Sequence, residues 1–321
     1  MKLKQLQGLM PSSRERQQHT LALAFLHELS QPDTPATPPS SARWDDLMQT
    51  PDAALGRAVN AACHACLDTW PHALDGFFDR VDFTDASPRD IRDAARVLTA
   101  FARQPGGHPL TRLGDIYQHG RSLNTQQWQG AFFTPWPVAE MMVMMNAPQP
   151  GMFIADISGC GAAVFLCAAL QQVRDRYGER LAKTITLIGC DLDAVTCQVA
   201  RASLLLAGAD EDQFWIACGN SLARPIVGRD RADGQLKTLN FPLLLGNPPF
   251  GTATKIADLE QAALAGPLVV PDRVLNRAFV VAAHEKRLLA DHGQRPIHRA
   301  LAEADGRLFS GFAGDDGLLA A

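Results

Sequence analysis

The sequence predicts an α/β fold built on a mostly parallel sheet, preceded by a helical region. Three observations predict it. Four apolar, strand-like runs between Met152 and Leu245 alternate with helix-like segments. Each run ends in Gly, Asp or Asn. Before Gly130 the chain carries helix patterns without comparable runs. Strand and helix in alternation argue for parallel strands buried on both faces. Ligands of such sheets gather at the carboxyl ends of the strands, so the four run ends locate a candidate site.

Taken in order, residues 1–30 read as an N-terminal helix, with Ser12 and Glu15 spaced as a capping box and helix formers from Leu21 to Leu29. Residues 31–42 hold four prolines among small polar residues and read as a linker. Residues 43–125 read as a helical domain, with helices expected over Ala53–Leu67 and Pro88–Arg103. Pro88 suits a first turn and Gly106-Gly107 a stop. Residues 126–321 form the expected catalytic domain. Its strands are predicted over Met152–Ile157, Thr184–Cys190, Gln213–Cys218 and Phe241–Leu245, with helices over Ala162–Tyr177 and Ala194–Ala207. Beyond residue 250 the chain offers a short apolar run, Leu268-Val269-Val270, a helix over Arg273–Ala290 and a Gly-rich end. No fifth, sixth or seventh strand stands out, so the C-terminal part of the sheet is expected to be incomplete.

At 321 residues, 46% hydrophobic and 20% charged, the composition is that of a globular protein with a sizeable core. No apolar run is long enough for a bilayer, and the start lacks the apolar core of a signal peptide. No membrane association and a cytoplasmic location are the expectation. The net charge of −4 excludes a polycation but not a local basic surface. Arg273, Arg277, Lys286, Arg287, Arg295 and Arg299, against Glu285 and Asp291, form one such segment, as compatible with a solvated helix face as with a DNA-facing one. The seven cysteines are odd in number and mostly set in apolar stretches, which speaks for buried thiols over disulfides. Cys63-His64-Ala65-Cys66 has the spacing of half a zinc site, but no second pair follows and no metal is expected.

The strongest chemical signal is Gly246-Asn247-Pro248-Pro249-Phe250, directly after a buried strand. A plain turn also uses Asn, Gly and Pro. A double proline followed by an aromatic at the mouth of a parallel sheet asks for more. The exocyclic amine of a nucleobase is a poor nucleophile, because its lone pair is delocalised into the ring. Acceptors for both N–H groups favour a pyramidal nitrogen and free that pair. The Asn247 side-chain oxygen and the Pro248 carbonyl supply two such acceptors, held in place by proline-fixed φ. Phe250 offers a flat apolar surface to a base taken out of its stack.

The Asn-Pro-Pro-Phe tetrapeptide resembles the signature of the amino-methyltransferases that modify adenine N6, and its Phe ending is similar to the large-subunit methylases of restriction-modification systems. The resemblance implies a Rossmann-like class I methyltransferase sheet, S-adenosylmethionine as cofactor, DNA as partner, and Asn247, Pro248, Pro249 and Phe250 as the catalytic loop. Four further segments follow the family's order. Gly130 to Pro135 resembles the segment that closes over the methionine end of the cofactor, which implies contact roles for Phe133 and Thr134. Asp156 to Gly161 takes the place of the first cofactor motif, implying roles for Asp156, Gly159 and Gly161. Here Ile157 replaces a proline, and the glycines fall one residue early, so the loop is shorter or the affinity lower. Asp191 matches the acid that takes the ribose hydroxyls, with Asp193 as fallback or helix cap. Asn220 matches the segment beside the cofactor's adenine.

The resemblance spans residues 130 to 250 and leaves alternatives open. Cytosine N4, an RNA base or a protein glutamine could accept the methyl group, and Phe250 leans toward DNA adenine. An inactive or truncated methylase-like protein that binds DNA or a partner subunit is the non-enzymatic alternative. A specificity or restriction subunit is the further partner implied.

Overall fold

The computed structural model describes residues 14–104, 107–120, 133–248 and 255–278. Ser12, Gly130, Pro249, Phe250 and the basic segment beyond Ala278 lie outside the described residues.

The helical region comprises α1 (Arg14–Leu29), α2 (Trp44–Gln49), α3 (Asp52–Thr69), α4 (Pro88–Ala102) and α5 (Arg112–Gly120). From Leu21 to Leu26 every residue of α1 is buried, as expected of a helix apolar on all sides. In α4 the pattern is amphipathic instead. Ile91, Ala94, Ala95 and Leu98 are buried at i, i+3, i+4 and i+7, and Pro88 opens the helix. Cys63 and Cys66 lie on the buried side of α3, where burial pushes both thiols above their usual range. Between α1 and α2, Thr34 Oγ1 donates to the Glu28 carbonyl and Ser30 Oγ accepts the Trp44 N–H, so residues 31–42 are tied at both ends.

A short α6 (Trp136–Asn146) leads to β1 (Phe153–Asp156). Then follow α7 (Val164–Tyr177), α8 (Glu179–Ala182), β2 (Thr186–Asp191), α9 (Ala194–Leu206) and β3 (Phe214–Cys218). β4 (Ile226–Arg229), β5 (Leu236–Thr238), β6 (Leu243–Leu244), α10 (Ile256–Ala263) and β7 (Leu268–Val269) complete the described elements. The main sheet is wholly parallel, in the order β3-β2-β1-β6. Three of its strands fall within the predicted runs, and β2 extends one residue past its run, to Asp191.

The period of two along each strand divides the interior into two cores. Ile154, Leu187, Phe214 and Ile216 join a core that runs continuously into the helical region. Their neighbours Phe153, Ala155, Ile188, Cys190 and Ala217 face a second core with Ile226, Leu239, Leu268 and Val274. That second core is where the sequence reading needs correction. Further strands do exist, but they do not extend the main sheet. They form a separate three-stranded sheet, β5-β4-β7, with β4 antiparallel to β5 and parallel to β7. The hairpin escaped notice because Gly228, Arg229 and Lys237 interrupt strands too short to show alternation. Its legible signal was the Asp233-Gly234 turn, closed by Asp230 N–H donating to the Gln235 carbonyl, with Gly234 at φ +71°.

From β1 the chain steps outward to β2 and β3, then returns past the small sheet to pair β6 on the other side of β1. The strand order reverses there, and the crevice at the carboxyl ends of β1 and β6 is the switch point where such sheets bind ligands. No helix among the described residues is long and apolar enough to cross a membrane.

Candidate functional site

Two loops meet at the switch point, one leaving β1 and the other leaving β6. The first, residues 157–163, turns through three left-handed positions: Gly159 (φ 110°), Gly161 (φ 55°) and Ala163 (φ 60°). Glycine takes the first two without steric cost, whereas Ala163 holds the third under strain. The loop is pinned across the end of β2. Cys160 N–H donates to the Cys190 carbonyl at 2.9 Å, and Gly161 N–H donates to Asp191 Oδ2 at 3.1 Å. Asp191 Oδ1 accepts the Asp193 N–H at 3.0 Å. Asp193 is the helix cap: its Oδ1 accepts the Thr196 N–H at 2.7 Å and the Tyr117 hydroxyl at 3.1 Å. Asp191 is thus the aspartate that holds the glycine loop, through the Gly161 N–H.

Asp156 closes β1 and is 1% exposed. Its carboxyl group accepts the Ser158 backbone N–H, while Oδ1 has no hydrogen-bond partner among the described residues. Burial, reinforced by the charge of Asp191, pushes its pKa up to about 7. Burial also raises Asp191, against the lowering effect of the Asp193 and Gly161 N–H groups. Gly246, just beyond β6, faces this carboxylate. A Cβ there would collide with Ser158 Oγ and sit 3.3 Å from Asp156 Oδ1. Ser158 and Gly246 carried no role in the sequence reading; a glycine directly before the Asn-Pro-Pro signal was the available hint.

Asn247 follows on the same loop, half-buried, and its Nδ2 donates to Thr134 Oγ1 at 3.2 Å. With the amide nitrogen turned to Thr134, the amide oxygen points elsewhere. Thr134 is itself fixed from α6, whose first residue, Trp136, stacks on His108 with ring centroids 3.7 Å apart and planes 5° from parallel. Phe133 lays its ring on the glycine loop, so that a Cβ on Gly161 would meet Cδ1 at 2.9 Å. On the other side the ring faces Gly114 of α5, and Tyr117 is 6.1 Å away. Gly114 was not anticipated; its role is space, since a Cβ there would run into Ala162.

After β3, Asn220 Oδ1 accepts the Leu222 N–H at 3.0 Å, an Asx turn that directs the side chain into its own loop. Ser221 Oγ donates to the Ile157 carbonyl and ties this loop to the first. The structure thus brings together Phe133, Thr134, Asp156, Gly159, Gly161, Asp191 and Asn247, with Asn220 at the margin. Pro248 is exposed beside Asn247, and Pro249 and Phe250 lie outside the described residues.

A parallel sheet with a reversed strand order, a glycine loop after β1 and acids ending β1 and β2 define a Rossmann-like nucleotide-binding class of α/β protein. Within that class the profile of the N-6 DNA Methylase family matches residues 111–316, and the chain belongs to this family. It is 27% identical over 235 residues to the type I restriction enzyme StySPI methylase subunit of Salmonella potsdam, covering 67% of this chain and 42% of that relative. It is 26% identical over 140 residues to the MjaVII methylase subunit of Methanocaldococcus jannaschii, covering 43% and 22% respectively. Among solved structures it is similar to the type I restriction-modification methyltransferase subunit of Streptococcus thermophilus, with a TM-score of 0.38 and 22% identity over 63% of this chain and 44% of that one. The chain therefore spans about two-fifths of the StySPI subunit's length.

The residues present fit S-adenosylmethionine in chemistry. A buried carboxylate oxygen with no donor among the described residues suits the cofactor's cationic methionine end, and the glycines at 161 and 246 let Phe133 and Ser158 close directly on the two loops. The space between Phe133, Asp156 and Asn247 is only about 20 Å³, however. A ligand pocket needs some 300 Å³ or more, so this space is only one corner of a cofactor site.

Proposed function

We propose that this chain carries the catalytic site of a DNA methyltransferase that moves a methyl group from S-adenosylmethionine to adenine N6. What carries the proposal is the Asn247–Thr134 hydrogen bond at the switch point, which fixes an amide acceptor beside a cofactor-type loop. Asp156, Gly159, Gly161 and Asp191 would hold the cofactor, with Phe133 and Thr134 against its methionine end and Asn220 near its adenine. When bound, the cofactor supplies an electrophilic methyl on its sulfonium.

Asn247 Oδ1 accepts one N–H of the adenine amine and the Pro248 carbonyl accepts the other. Held this way, the nitrogen is drawn out of conjugation with the ring and its lone pair turns toward the methyl group. The amine carries an extra proton after transfer and loses it to solvent, so the site needs no strong base. Phe250 receives the flat face of the base, which must leave the duplex to reach the crevice. Helical domain 43–125 and catalytic domain 126–321 would then act together on DNA in the cytoplasm. The methylase-subunit relatives support a specificity or restriction subunit as a further partner.

Purified protein is incubated with radiolabelled S-adenosylmethionine and unmethylated plasmid, with RNA and protein acceptors in parallel and Asn247→Ala as control. Label on adenine N6 of the DNA that vanishes in the variant is the expected result. Label on cytosine, RNA or glutamine would move the acceptor. Absence of cofactor binding in calorimetry would sink the enzymatic reading.

A further inference from the structure

Gly114 and Tyr117, three residues apart on α5, share the face of that helix turned to the sheet. At Gly114 the helix comes so close to the glycine loop that a Cβ would lie 2.5 Å from that of Ala162. The close approach brings Tyr117, 2% exposed, between two parts of the crevice. Its hydroxyl donates to Asp193 Oδ1 at 3.1 Å, and its ring centroid lies 6.1 Å from that of Phe133, with the planes 30° apart. A closed circuit of contacts runs from the one to the other. The Asp193 N–H donates to Asp191 Oδ1 at 3.0 Å, and Asp191 Oδ2 accepts the Gly161 N–H at 3.1 Å. Gly161 lies beneath Phe133, whose ring leads back to Tyr117.

Each end of the circuit has a physical task. Asp191 and Asp193 are acids two positions apart, and the charge of Asp193 opposes that of Asp191. The Thr196 N–H at 2.7 Å, Thr196 Oγ1 at 2.8 Å and the Tyr117 hydroxyl at 3.1 Å all donate to one oxygen of Asp193. Three donors hold that carboxylate as an anion at the helix cap, so that its backbone N–H stays aimed at Asp191. At the other end the Tyr117 ring backs Phe133 and keeps it over Gly161. We propose that Tyr117 is a positioning residue for cofactor binding, holding Asp191 through Asp193 with its hydroxyl and holding Phe133 with its ring. The helical region thereby sets two walls of the crevice. This role rests on the methyltransferase reading above, in which Asp191 and Phe133 hold the cofactor.

Calorimetry of S-adenosylmethionine binding to the full chain tests it, with turnover on plasmid DNA measured beside it. Tyr117→Phe removes the hydroxyl and keeps the ring, whereas Tyr117→Leu removes both. The cofactor Kd should rise about threefold to tenfold in the phenylalanine variant and further in the leucine variant. The loss should appear in the cofactor KM and not in kcat. Leu98→Ala, fully buried in α4 and outside the circuit, controls for stability: its Tm should fall while its Kd stays at the wild-type value. Asp193→Ala removes the acceptor, and in that background Tyr117→Phe should shift the Kd no further. Equal Kd in wild type and Tyr117→Phe overturns this role alone, as does an undiminished effect of Tyr117→Phe in the Asp193→Ala background. Absence of cofactor binding by the wild type overturns the methyltransferase reading and this role with it. Should Tyr117→Leu fail to fold, Tyr117→Phe decides the outcome.

Discussion

The ring of Phe133 rests on the backbone of Gly161, so close that a methyl group on the glycine would lie 2.9 Å from a ring carbon. Gly161 also sits at φ 55°, where an L side chain is strained. Gly161→Ala therefore carries two separate costs. The variant should lose about 1–3 kcal/mol of stability by urea denaturation and bind S-adenosylmethionine more weakly. In a double-mutant cycle with Phe133→Ala the crowding part should be recovered and the backbone part should remain. Strict additivity would show that the ring is not packed on the glycine.

The buried Asp156 gives the fold a pH dependence. Its pKa is about 7 in the folded state, above its ordinary value of 3.8. The folded chain therefore binds the proton more tightly than the unfolded chain. The resulting stability is fully present below pH ~4 and is lost as pH rises toward ~7, on the order of a few kcal/mol. Asp156→Asn removes this slope, because an amide is neutral throughout. Relative to wild type it should be more stable at pH 8 than at pH 5, while losing cofactor affinity. Parallel denaturation curves at both pH values would refute the shift.

Under the proposed function, Thr134 would position Asn247 through its 3.2 Å hydrogen bond without touching the amine. Thr134→Val removes the hydroxyl at nearly constant volume and frees the amide to rotate. Turnover on plasmid DNA should fall about tenfold to a hundredfold with little change in cofactor Kd. Thr134→Ser, which keeps the hydroxyl, should restore most of the rate. A rate loss in the serine variant as large as that in valine would point to packing instead.

Arg112 at the start of α5 donates to Glu28 Oε2 at 3.0 Å and to Asp33, while His27 Nδ1 lies 2.9 Å from Glu28 Oε1. Glu28 and His27 are each 1% exposed. Arg112→Met leaves the Glu28 carboxylate buried without its cation. The expected loss is about 3–5 kcal/mol, read by thermal or urea unfolding. The double variant Arg112→Met, Glu28→Gln should regain much of it.

Four strands and the helices between them were legible because each strand reads as an apolar run, β1 and β2 being buried on both faces. The β4–β5 hairpin was not, since strands of four and three residues carry too few side chains for a period to show. Helix α6 was also unread. Its methionines are apolar on every side, and Met141, Met144 and Met145 remain exposed among the described residues. Within the site, Asp191 and Asp193 could not be ranked from sequence, because a carboxylate one residue before a helix and one three residues before it read alike. Only the positions of Gly161 and Thr196 separate the acid on the glycine loop from the cap.

The sequence by itself determined the chemistry of the loop after β6, an amide and two prolines beside a glycine, and the order of the cofactor-type segments before it. Those are local facts, set by residue type and spacing. The tertiary structure alone decided that Thr134, 113 positions earlier in the chain, orients Asn247. It also decided that Asp156 is left with an unpartnered oxygen and that Phe133 fills the space in front of it. Each of these depends on which strand lies beside β1, and that choice is made by the packing of two cores on opposite faces of one sheet.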